Sequence, residues 1–313
     1  VSLTNEISNE PNNKGVQKKP ISHSKSRKNR KIEWTPYLYL LPAVTLSLLF
    51  FIFSIVFTFF ISFTKWDGVN DIQFVGFENY IEMFNDPNFL IACLNTVIWV
   101  LGGLIIPVLI PLILAIAITK SRFGSAFKNI FYLPNALSPT IAGIIMTVLL
   151  SLYGLPQVMG MLGLDSLQTN WLNIPYVNTL IMVASGAWQG IGINLILFIV
   201  GLNNIPTEPI EAAKLDGASG LTLYTKLILP LLKPTTLIVL LMSLVNSFKT
   251  FDVIWVMTGG GPYRTSETLA VTMYKEAFVN NELGYGSAVA IFLSIITLAI
   301  SWFFLKDTFK GEE

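Results

Sequence analysis

The sequence has one histidine, His23, and one cysteine, Cys93, in 313 residues. A lone cysteine excludes an internal disulfide, and a lone histidine in a polar tail leaves neither a zinc cluster nor a histidine-based catalytic triad to build. No G-x-x-x-x-G-K-[ST] stretch occurs, so the chain has no ATP-binding P-loop of its own. The nearest glycine cluster, TGGGP at 258–262, lacks the lysine and hydroxyl that phosphate and magnesium need. It reads as a turn that ends a helix, because glycine tolerates positive φ and Pro262 cannot continue one. Charge is scarce as well, at 12% of residues against 53% hydrophobic. That balance is too apolar for an ordinary soluble domain and points to an integral membrane protein.

The few charges punctuate the chain. None lies between Glu33 and Lys65, Asp86 and Lys120, Lys128 and Asp165, Asp165 and Glu208, or Glu282 and Lys306. Each gap exceeds the roughly 20 residues that a membrane helix needs. Spans are expected at 37–63, 90–118, 130–153, 176–202, 235–257 and 286–305. The runs are continuously apolar without the alternation of barrel strands, so the expected fold is an all-α membrane protein of six transmembrane helices. Pro107, Pro111 and Pro139 are expected to kink or start helices.

Sixteen of the 20 lysines and arginines fall on one side of these spans, in the tail to residue 36, the 119–129 and 203–234 loops and the C-terminal tail. By the positive-inside rule both termini and the 203–234 loop are cytoplasmic. The basic tail 1–36 reads as a disordered anchor that touches anionic lipid, residues 37–306 as the membrane domain, and 307–313 as a short cytoplasmic tail. No cleaved signal is expected, since the charged region is long and the apolar run after it has no small-residue cleavage pattern.

EAAKLDGASGLTLYTKLILP, residues 211–230, is too polar to cross a bilayer. Glu208 and Glu211 sit where carboxylates complement the free N–H groups of a helix start, with Pro209 in its first turn and the N-cap at Thr207 or Glu208. Ala212 and Ala213 offer a flat surface for close approach, and Gly217 suits a left-handed turn ending the helix. A second short helix is expected from about Ser219 to Leu229, broken by Pro230. The product is a helix, bend, helix element across the cytoplasmic face. By physics alone an amphipathic linker resting on lipid is an equal reading.

The stretch resembles the EAA loop of the membrane subunits of binding-protein-dependent ABC importers. Glu211, Ala212, Ala213, Gly217, Leu229 and Pro230 fall on that pattern, with Leu227 at its isoleucine position. FVGFENYIEMFNDPNF at 74–89, IPTEPIEAAKLDGAS at 205–219, which includes Asp216, and SFKTFDVIWVMTGGGP at 247–262 are similar to the carbohydrate branch, which includes the maltose and glycerol-3-phosphate systems. The likeness covers residues 36–306, and the short 64–89 loop matches the compact six-span version.

The resemblance implies that Glu211, Ala212, Ala213, Asp216, Gly217, Leu227 and Pro230 couple this chain to a cytoplasmic ATPase subunit dimer, which holds ATP and magnesium. The chain itself is expected to bind no cofactor or metal and to catalyse no covalent step. The implied partners are a second, nonidentical permease subunit, an extracellular or periplasmic solute-binding protein, a sugar or oligosaccharide, and the bilayer of a bacterial cell membrane. No nucleic acid is expected. Glycerol phosphate, an amino acid or a metal as solute, and a secondary transporter driven by an ion gradient, are the other readings.

Polar groups at lipid depth tend to face a cavity or another helix. The candidates for a solute path are Trp188, Gln189 and Asn194 in the fourth span and Asn246, Lys249 and Asp252 in the fifth. An aromatic ring against a sugar face, with amides on its hydroxyls, is suitable chemistry. Alternatively, Asn194 and Asn246 bond a neighbouring helix and Trp188 is a packing residue. Lys249, roughly 21 Å into a continuous span, shares a helical face with Asp252 three residues on, and an ion pair between them is favoured over a sugar contact.

Overall fold

The computed structural model describes residues 35–119 and 121–309, in two compact units that meet in the chain at Phe50 and Phe51. The basic tail to residue 34, Lys120 and the last four residues lie outside the described residues. The first unit contributes α1 (Thr35–Ser47) and the start of a π-helical stretch, Leu48–Ile52, with its described large apolar side chains exposed.

The second unit begins with α2 (Phe53–Ile61). A short antiparallel pair, β1 (Thr64–Lys65) and β2 (Gln73–Phe74), sets Thr64 opposite Phe74. Then come α3 (Glu78–Asn85), α4 (Pro87–Thr119), α5 (Gly124–Tyr132), α6 (Pro139–Leu150), α7 (Leu155–Met161), α8 (Val177–Asn203) and α9 (Thr207–Leu215). After these, α10 (Gly220–Leu223) passes through a π stretch, Tyr224–Ile228, into α11 (Leu229–Leu231), followed by α12 (Lys233–Phe248) and α13 (Asp252–Met257). The described chain ends with α14 (Leu269–Tyr274) and α15 (Leu283–Phe309).

Among the described residues, five helices are long and apolar enough to cross a membrane: Leu38–Ile61, Pro87–Thr119, Pro139–Met161, Val177–Asn203 and Leu283–Lys306. A sixth is counted if Gly220–Leu231 and Lys233–Phe248, bent by 69°, form one span. Two expected spans are corrected. The third starts at Pro139 rather than 130, because Ser138 caps α6 by accepting from the Ile141 N–H and Pro139 takes the first turn, where its missing N–H costs nothing. The fifth is not continuous over 235–257: α12 stops at Phe248 and a new helix begins at Asp252.

Helix α4 is the centre of this unit, packed against α8 and α12. Small residues let these backbones approach, as lipid-embedded helices require; a methyl group at Gly103 would overlap the Ser247 hydroxyl on α12. At the α9 end of the bundle a cluster of Val108, Ile118, Leu195, Phe198, Leu232 and Val239 closes the interior. At the opposite end Met83, Phe89, Leu269, Tyr285 and Val289 do so.

The opposite end also holds an ion network that the sequence reading missed. Glu267 is wholly buried, receives Arg264 Nε at 2.8 Å and pairs with Lys275, while Arg264 also reaches Glu276 at 2.7 Å. Thr272 donates its hydroxyl to Glu267, and Asn280 donates its amide to Glu276. Burial opposes the Arg264 charge, but Glu267 and Glu276 outweigh it and hold the guanidinium above its ordinary range. The network fixes the turn after α13, where Gly259 and Gly260 have positive φ, as expected of a helix-ending turn at TGGGP. Glu267→Ala is expected to cost ~2 kcal/mol, less than for a fully buried pair because Arg264 and Lys275 reach solvent. Chemical unfolding of the detergent-solubilised protein measures this, and an unchanged midpoint contradicts a structural role for the network.

Candidate functional site

Residues 203–234 form the helix, bend, helix element that the sequence suggests. Helix α9 starts after Pro206, which is the N-cap in place of Thr207 or Glu208, and no side chain caps it. Glu208 in the first turn complements the free N–H groups instead. The helix ends in a Schellman motif: the Ala218 N–H bonds the Ala213 carbonyl at 2.8 Å and the Gly217 N–H bonds Lys214 at 3.1 Å. The motif requires a left-handed residue at Gly217, whose φ is +84°.

The second helix runs past Pro230 to Leu231 and bends at Leu232, which corrects the expected stop at the proline. The preceding π stretch explains the tolerance. The Leu229 N–H bonds the Tyr224 carbonyl five residues back, so the ladder slips by one residue just before Pro230, which has no N–H to continue it.

One face of the element packs on the bundle and the other is bare. Ile210, Ala213, Ala218 and Leu227 lie on the cluster at the ends of α4, α8 and α12. Glu211, Ala212, Asp216, Gly217 and Pro230 are exposed. Beside them Leu215 is 89% and Leu221 79% exposed. Of the expected coupling residues, Ala213 and Leu227 therefore hold the element to the spans, while the others face outward.

A cavity of ≈460 Å³ lies between α4, α6, α8 and the α12–α13 break. Gln189, Asn194, Asn246, Lys249 and Asp252 line it, as the sequence suggests, and Trp188 does not. The aromatic side chains on its wall are Trp99 and Phe251. Gln189 donates to the Leu137 carbonyl at 2.7 Å, leaving its amide oxygen without a hydrogen bond from the described residues.

Asn194 is buried and has a structural task. Pro111 has no N–H, so the carbonyl of Pro107, one turn earlier in α4, loses its helical partner. The Asn194 amide donates to that carbonyl, and also to Ser243 Oγ on α12 at 3.1 Å. One side chain of α8 thereby ties α4 and α12 together.

Lys249 and Asp252 form no ion pair, contrary to the expectation from their spacing: α12 ends between Phe248 and Lys249, so the two residues are not on one helical face. Lys249 caps the C-terminal end of α12 and Asp252 sits in the first turn of α13, positions that favour a cation and an anion respectively. Both are exposed on the cavity wall. Ser243, Ser247 and Thr250 also line the cavity and were missed. Their spacing with Asn246 is the signal, a polar stripe at helical period along α12. Nothing local in the sequence marks Trp99.

An apolar helical bundle with a cavity of mixed polar and apolar lining and a bare helix, bend, helix surface at one end suits a membrane transport subunit. Residues 107–307 match the family described as binding-protein-dependent transport system inner membrane component, and the chain belongs to it. It is 36% identical over 289 residues to a probable ABC transporter permease protein of Pyrococcus horikoshii, covering 89% of this chain and 97% of that protein. It is 34% identical over 283 residues to the arabinooligosaccharides transport system permease protein AraP of Bacillus subtilis, covering 88% and 90%. The sn-glycerol-3-phosphate transport system permease protein UgpA of Agrobacterium fabrum is 31% identical over 275 residues, covering 86% and 92%. The fold is shared with a bacterial ABC transporter involved in the import of the acidic polysaccharide alginate, at TM-score 0.78 and 23% identity over 88% of this chain and 96% of that one.

If Asn194 serves the carbonyl freed by Pro111, the two positions are coupled. Asn194→Ala is expected to cost about 1–3 kcal/mol in the natural background, the penalty for a buried acceptor left alone. In a Pro111→Ala background, where an N–H again reaches Pro107, the cost should shrink. A double-mutant cycle by chemical unfolding checks this; equal costs in both backgrounds contradict it.

Proposed function

We propose that this chain is one of two permease subunits of an ATP-driven importer for sugars or oligosaccharides. It spans the bacterial cell membrane six times with both termini in the cytoplasm. The observation that carries the reading is the 203–234 element: one face packs on the ends of three spans, and the other presents Glu211, Ala212, Leu215 and Leu221 uncovered. A linker that only rested on lipid would not require the EAA spacing. In this reading a groove on a separate ATPase subunit, which binds ATP and magnesium, covers that face.

A binding protein outside delivers the solute, closure of the ATPase pair pushes on α9, and the spans move so that the path opens outward. Hydrolysis and product release reset it inward. The sugar assignment is supported by relatives such as AraP, and glycerol phosphate remains the second reading because UgpA is comparably similar. The solute path is the cavity wall formed by Gln189, Asn246, Lys249 and Asp252, with Asn194 behind it as a brace.

Native-membrane purification followed by mass spectrometry tests the assembly. An ATPase subunit and a second six-span permease should copurify, and a chain that emerges alone or only with itself contradicts the proposal. Coupling is tested at Gly217. A methyl there meets no neighbour, so the cost of a substitution is backbone strain alone. Gly217→Val is expected to insert normally yet lose solute uptake while ATP hydrolysis persists, and Gly217→Asn, which tolerates a left-handed φ, should be milder. Unchanged uptake by the valine variant in proteoliposomes counts against the lever.

A further inference from the structure

The cavity wall carries two ionisable side chains among the described residues, Lys249 and Asp252, and neither bonds any other described side chain. Elsewhere in this apolar chain the buried carboxylates Glu267 and Glu276 are each paired with a cation. Lys249 and Asp252 instead stand open to the cavity on either side of a helix break, with Phe251 between them on the same wall. The Phe251 ring is braced by its neighbours: it stacks on Trp255 at 5.6 Å with 17° between planes, and meets Tyr274 at 4.8 Å. That leaves a fixed aromatic platform flanked by one full donor group and one full acceptor group.

We propose that Lys249, Phe251 and Asp252 form a saccharide clamp that selects neutral sugars over uronates and sugar phosphates. This rests on reading the cavity as the solute path. Phe251 stacks on the apolar face of a pyranose. Asp252 can only accept hydrogen bonds and Lys249 can only donate them, whereas a hydroxyl does both. A neutral sugar with adjacent hydroxyls therefore satisfies both side chains at once. An anionic sugar satisfies Lys249 but brings its charge beside Asp252, and like charges held a few ångströms apart repel, more strongly near protein than in bulk water. The formal charge of this wall is zero, which suits a neutral cargo. Membership of the family does not decide the matter, since UgpA is named for a phosphate ester and AraP for neutral oligosaccharides.

The test uses the purified complex carrying Cys93→Ala and Thr250→Cys, which leaves one thiol on this chain, on the cavity wall. Labelling of that thiol by a polar maleimide is timed with a panel of neutral di- and trisaccharides and with uronate trisaccharides. Neutral sugars are expected to slow labelling about tenfold and uronates less than about twofold. Asp252→Asn should weaken protection by the neutral sugar about tenfold and improve protection by the uronate, and Lys249→Gln should weaken protection by both. Unchanged labelling rates without sugar show that the variants fold.

Uronates that protect as well as neutral sugars, or an Asp252→Asn variant with an unaltered preference, overturn the clamp and leave the solute path standing. If no sugar of either class protects, the path reading falls and the clamp with it.

Discussion

Much of this structure follows from one carbonyl oxygen. Helix α4 runs for 33 residues with Pro107 and Pro111 inside it, and within hydrocarbon no water can serve the backbone groups that proline strips of partners. The carbonyl of Pro107 is served by Asn194, and the same amide reaches Ser243. A single repair therefore fixes the spacing of α4, α8 and α12, the helices whose facing sides make the cavity. Close packing of Gly103 on Ser247 follows from that spacing, and Ser247 turns its own hydroxyl back to the Ser243 carbonyl. The wall facing the cavity is polar, but much of its hydrogen-bonding capacity is already committed to holding the helices together.

The proposed coupling depends on how that wall is joined to the 203–234 element. Helix α12 spans only Lys233–Phe248, about 24 Å at 1.5 Å per residue. At one end it meets α11 across the bend at Leu232, and at the other it stops at the break that carries Lys249 and Asp252. A stiff rod between two bends transmits displacement without having to unfold. The surface to be pushed is stiff as well, because the Schellman motif closes α9 and Ala218 is packed beneath it on the bundle. Substituting Gly217 would strain that closure without touching a single neighbouring side chain, so its effect would be on transmission rather than packing.

Five of the expected spans were legible because charges are expensive in hydrocarbon, so the five charge-free stretches each hold a helix long and apolar enough to cross a membrane. The fifth expected span, which carries Lys249 and Asp252, is broken. The bent element at 203–234 was legible for a related reason: its carboxylates, alanines and Gly217 each have a local conformational use. Boundaries were less so. A run of apolar residues from 130 onward looks continuous, although the Ser138 cap and Pro139 divide it. Trp188 looked suitable for a sugar by type alone, but helical phase turns it off the cavity and brings Trp99 from another helix onto it. The serines on α12, and Thr250 just past its end, could have been found from their spacing.

Ionisable groups show most clearly what sequence distance leaves open. Arg264 and Glu267 are three residues apart and bond; Lys249 and Asp252 are also three apart and do not. The first pair lies on a tight turn whose left-handed residues bring the two side chains together, and Glu267 has no solvent to turn to, so its carboxyl oxygens are served by Arg264 and Lys275. The second pair lies across a broken helix, where each charge has the favourable end of its own helix and an open cavity beside it. Burial forces the first pair to be spent on structure. The break spares the second, and a cation and an anion that the fold does not consume remain free to act on whatever enters the cavity.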